Sequence, residues 1–125
     1  MKLVRLIATL ALVANGAALA AEGHSHDPKP LHGGVVVEVK DIEFELVARP
    51  DAVQLHLRDH GKKLDVSTGS AKLTLLTGAD KQEVELKPAG DKLEAKGSFK
   101  LAPNTKVAAI VLLAGKSFTA RFVLK

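Results

Sequence analysis

From residue 35 to the C-terminus the chain repeats one device: a short run of alternating apolar and polar residues, then a turn signal. Val35-Val36-Val37-Glu38-Val39 is short and β-branched, and Ile42-Glu43-Phe44-Glu45-Leu46 and Val53-Gln54-Leu55-His56-Leu57-Arg58 alternate cleanly. Further runs cover Ala71 to Leu76, Glu83 to Lys87, Lys92 to Phe99, Val107 to Leu113 and Phe118 to Leu124. Between them stand Arg49-Pro50-Asp51, Asp59-His60-Gly61-Lys62, Thr77-Gly78-Ala79-Asp80, Pro88-Ala89-Gly90-Asp91, Ala102-Pro103-Asn104 and Ala114-Gly115-Lys116. A period of two puts one face of each run in a core and the other in water. The pattern predicts seven or eight short strands and no helix in the mature chain. Such spacing suits an antiparallel sandwich or a small barrel. The expectation is an all-β, antiparallel, immunoglobulin-like sandwich over residues 35–125, without the Cys–Trp–Cys signature of antibody domains.

The first residues read differently. Lys2 and Arg5 precede the apolar run Leu6 to Ala14, Asn15-Gly16 breaks it, and Ala17-Ala18-Leu19-Ala20-Ala21 ends it in small residues. This is the three-part layout of a secretory signal, too short to span a bilayer comfortably. Residues 1–20 are therefore expected to be a cleaved signal peptide, with cleavage after Ala20 favoured and after Ala21 the near alternative. No later segment is apolar enough to cross a membrane, so the mature protein is expected in the periplasm and off the membrane. It has about 104 residues, one ordinary domain. Loss of Lys2 and Arg5 lowers the formal charge from +4 to +2, so the basic precursor gives no argument for a nucleic-acid partner.

Composition narrows the chemistry. There is no Cys, and Met occurs only at position 1, which removes disulfides, thiolate sites and a thioether Cu(I) site. The serines stand in no G-x-S-x-G or S-x-x-K setting, and Gly33-Gly34 lacks the spacing of a phosphate loop. Glu43 and Glu45, or Glu83 and Glu85, alternate on strands and are expected on the solvated face. The reading is a protein that is not an enzyme.

Histidines carry the functional signal. Residues 21–34 form a flexible arm with two prolines and three glycines, and His24-Ser25-His26-Asp27 packs two imidazoles and a carboxylate into four residues. With N and O donors only, the candidate ions are Cu(II), Zn(II), Ni(II) and Co(II). If cleavage falls after Ala21, Glu22-Gly23-His24 offers an amine, two amides and an imidazole in a square plane, which suits Cu(II) or Ni(II). Capture requires neutral imidazoles, so binding should weaken below about pH 6.5. His56 sits beside Gln54 and Arg58 on a polar strand face, where Arg58 would oppose a cation, and is read as a surface histidine. Asp59 and His60, in a turn, fall short of the three or four ligands of a dedicated zinc site. In a meander, His32 and His60 lie at opposite ends of a sheet about 20 Å long, so they cannot share an ion. The economical site is His24, His26, Asp27 and His32.

His32-Gly33-Gly34-Val35-Val36, Phe44-Glu45-Leu46-Val47 and Leu57-Arg58-Asp59-His60-Gly61-Lys62 form an ordered series. It resembles small periplasmic proteins associated with heavy-metal efflux, and is similar to the N-terminal β domain of periplasmic adaptor subunits of resistance-nodulation-division metal exporters. The resemblance covers about residues 31–66. It implies an efflux-system component as partner, and it marks His32, Asp59 and His60 as matching positions. Unlike full adaptors, the chain has no long α-hairpin and no lipoyl-like domain, so it would act as a metal-binding accessory.

Overall fold

The computed structural model describes residues 29–125; the expected signal peptide, its cleavage site, and His24, His26 and Asp27 lie outside them. The described residues form nine strands and no helix: β1 (Val35–Val39), β2 (Ile42–Arg49), β3 (Ala52–Asp59), β4 (Lys62–Lys63), β5 (Ser70–Thr77), β6 (Asp80–Ala89), β7 (Lys92–Lys96), β8 (Lys106–Leu113) and β9 (Lys116–Val123). The two-residue β4, paired to β3, is the strand that alternation did not announce. All pairings are antiparallel, in the order β1-β2-β3-β7-β6-β5-β8-β9.

The expected immunoglobulin-like sandwich gives way to a single sheet that curls until β1 lies beside β9, nearly closing a barrel. The reason lies in β6. Residues 80–86 pair with β5 and residues 87–89 pair with β7, so one ten-residue strand joins the halves that a sandwich keeps apart. Three two-residue loops turn the chain: Lys40-Asp41, His60-Gly61 and Ala114-Gly115 each have positive φ at both positions. That is the turn whose twist matches a right-handed hairpin.

The inward faces meet in one core. Phe44, Leu46, Leu55, Leu57, Leu73, Leu75, Leu86 and Leu93 are almost wholly buried, as their alternation predicts. Val37, Ile42 and Leu101 are partly buried against it. Val47 does not fit the simple pattern. It faces outward on β2, yet it is buried, which shows that the outer face of β2 is covered.

Candidate metal-binding site

The cover is residues 29–34, and the site lies beneath them. Residues two apart on a strand share a face, so Glu43, Glu45 and Val47 of β2 stand beside Gln54, His56 and Arg58 of β3. The register pairs Glu43 with Arg58, Glu45 with His56 and Val47 with Gln54. The approach to β1 folds back over this face. A Cβ at Gly34 would stand 2.3 Å from the Leu46 carbonyl oxygen, and Gly33 has φ +77°. Only glycine accepts that close approach, and the left-handed turn favours it as well. The glycine pair after His32 is thus what lets the segment cross the strand.

Glu45 receives it. Its carboxylate, fully buried, accepts the backbone N–H of Leu31 at 3.0 Å, of His32 at 2.7 Å and of Gly34 at 3.0 Å. It also bonds His32 Nδ1 at 3.0 Å and Arg58 Nη1 at 2.9 Å. Burial by itself raises the carboxyl pKa, but the hydrogen bonds from Arg58, from the His32 ring and from the Gly34 and His32 amides outweigh it and hold the pKa at about 2. The reading of Glu45 as a solvated carboxylate is therefore corrected: the cover that buries it comes from a stretch without periodicity. Glu43, at the rim, is partly exposed.

Arg58 donates from Nε to Glu43 at 3.1 Å and from Nη2 to the Lys29 carbonyl at 3.2 Å, besides its bond to Glu45. Burial pulls its pKa down, while the bonds and charges of Glu45 and Glu43 push it up, and the net shift is upward. The expectation that Arg58 opposes a cation is revised. Two carboxylates answer one guanidinium, so the trio carries a net negative charge.

His56 is 9% exposed, which corrects its reading as a surface histidine. Its ring stacks on His32 with centroids 3.7 Å apart and planes 10° apart. Gln54 donates through Nε2 to Glu94 at 2.8 Å, which leaves Gln54 Oε1 as the acceptor from His56 Nε2 at 3.3 Å. Burial and the neighbouring His32 push the His56 pKa down, so its neutral form is favoured near neutral pH.

The candidate residues separate. His32 joins Glu45 and His56. Asp59 and His60 bond each other in the exposed β3–β4 turn. Among the described residues no three His, Asp or Glu side chains converge as a ligand set. Sequence reasoning missed Glu45 and His56; the available signal was their direct pairing across β2 and β3, next to Glu43 and Arg58. A cleft of about 110 Å³ opens between His32, His56, Arg58, Lys63 and Asp91. Pockets for organic ligands run from about 300 Å³ upward, so it suits an ion and its waters better than a cofactor. No protein-family model, curated protein or solved structure matches the chain.

Proposed function

We propose that this protein is an exported, periplasmic accessory of heavy-metal efflux or resistance that binds a divalent transition metal, Cu(II), Zn(II), Ni(II) or Co(II), without catalysing a reaction. His24, His26 and Asp27 capture the ion, His32 is the anchored member of the set, and the barrel docks on an efflux component. The supporting observation is the setting of His32. An ionised, buried carboxylate holds its Nδ1 at 3.0 Å, and among the described residues its Nε2 makes no hydrogen bond. Histidines that bind metals are oriented in this way, with the second ring nitrogen tied to a carboxylate that fixes tautomer and direction.

Isothermal titration of the mature protein with the four ions tests this, with its N-terminus fixed by mass spectrometry. One-to-one binding of one ion at micromolar or tighter affinity, weakened in His24→Ala/His26→Ala, is the expected result. Weak, unselective binding of all four would overturn it. A second reading, a β module that docks on a protein partner and has no metal role, is favoured by the exposed Leu76, Ile110, Leu112 and Val123. Under that reading, Ile110→Lys/Leu112→Lys abolishes partner binding, and deletion of residues 22–28 does not.

A further inference from the structure

Two imidazoles meet on the β2–β3 face, and each has one ring nitrogen committed to a neighbour. His32 Nδ1 faces the ionised Glu45, which can only accept, so this nitrogen carries the proton. His56 Nε2 faces Gln54 Oε1, and the bond from Gln54 to Glu94 fixes that amide's orientation, so Nε2 carries the proton here too. The remaining nitrogens, His32 Nε2 and His56 Nδ1, hold lone pairs and make no hydrogen bond among the described residues. His56 is buried, where a polar atom normally finds a partner, and it lines the cleft beside His32.

We propose that His32 and His56 together hold one divalent transition-metal ion on the outer face of β2 and β3, through His32 Nε2 and His56 Nδ1. This rests on the reading that the protein binds such a metal, and it adds a ligand on the barrel, His56. Both rings have the outer partners expected of metal-binding histidines: Glu45 behind one, and Gln54 backed by Glu94 behind the other. Glu43 and Glu45 outnumber Arg58, so the charge beneath the rings favours a cation. Lys63, at the mouth of the cleft, is paired with Asp91.

The stack has a consequence for the bound state. An imidazole binds an ion in its own plane, at about 2.0–2.1 Å for zinc. Parallel rings 3.7 Å apart cannot both do so, so the ion draws the rings out of their stack. It is His32 that turns, about its Nδ1 bond to Glu45, because its side chain is 38% exposed while His56 is held within the sheet.

The test is a Zn(II) titration of the mature protein with two readouts: calorimetric affinity, and imidazole 15N resonances. The wild type is compared with His56→Phe, which keeps an aromatic ring against His32 but has no ring nitrogen, and with His24→Ala/His26→Ala. Support is a loss of affinity of at least about tenfold in His56→Phe, the smallest loss seen when even an outer partner is removed, with His32 Nε2 and His56 Nδ1 shifting together in the wild type. If His56→Phe fails to fold, the wild-type 15N shifts decide. Unchanged affinity in His56→Phe, or wild-type shifts confined to His24 and His26, overturns the barrel site and leaves the arm site standing. Absence of binding by the wild type overturns the metal reading itself, and this inference with it.

Discussion

Glu45 organises more of this molecule than any other single side chain. Itself out of contact with solvent, it accepts three backbone N–H groups and bonds the His32 ring and the Arg58 guanidinium. Removing one partner of a buried charge pair costs about 3–5 kcal/mol. Glu45→Gln should therefore lower stability by about that much, measured by urea unfolding at pH 7, because its NH2 group also points donors at donors. The pH dependence follows in sign. The folded pKa, about 2, lies below the ordinary 4.5. This stabilisation is full above pH 4.5 and is lost as pH falls through 2. It amounts to about 3 kcal/mol. The wild type should lose stability over that window, and Glu45→Gln should lose correspondingly less. None of this was legible from alternation, which assigns Glu45 to water. The partner that buries it stands 11 to 14 residues earlier in the chain, in a stretch with no period to read.

At the scale of elements, strands were legible and some of their turns were not. Alternation locates β5, β8 and β9 because each has one wet and one dry face, and it locates β2 and β3 because their residues alternate in polarity although their outer face is covered. Gly61, Gly90 and Gly115 announce their turns, but Lys40-Asp41 turns with positive φ and no glycine. Ala114 is the least suited of these residues, at φ 51° with no polar side chain to bond its own backbone. The left-handed conformation costs an L-residue about 1–2 kcal/mol, and the greater freedom of unfolded glycine returns about half of that. Ala114→Gly should raise stability by about 0.5–1 kcal/mol, read as a higher melting temperature. Gly34 presents the opposite case. Gly34→Ala drives a Cβ into the Leu46 carbonyl, and a clash of that kind costs about 1–3 kcal/mol. Hydrogen exchange should show residues 31–34 losing protection in this variant while β5 and β8 keep theirs.

Across the whole molecule, alternation cannot tell a sandwich from a barrel, because both have one wet face per strand. The distinction lies in β6 changing partners from β5 to β7, a long-range choice that no local period encodes. The same limit hid the meeting of His32 and His56: a straight continuation of β1 puts His32 opposite Arg49, at the far end of β2, and only the reversal at Gly33-Gly34 returns it to the middle of β3. Where the folded unit begins is also a whole-molecule property. The sequence pattern starts the domain at Val35, yet Leu31, His32 and Gly34 are tied to Glu45, and the Lys29 carbonyl is tied to Arg58. A chain starting at residue 29 keeps all of these contacts. A chain starting at residue 35 loses three amide donors and the His32 ring from a charged acceptor. Water then reaches Glu45, Arg58 and Val47, and the loss should be about 2–4 kcal/mol, since hydrogen bonds to charged groups contribute about 1.5–3 kcal/mol each and water replaces part of them. For a domain near 100 residues that lowers the melting temperature by more than about 8 °C. Equal melting temperatures for the two truncated chains would mean that the segment rests on the barrel without stabilising it, and that the independently stable unit starts at β1.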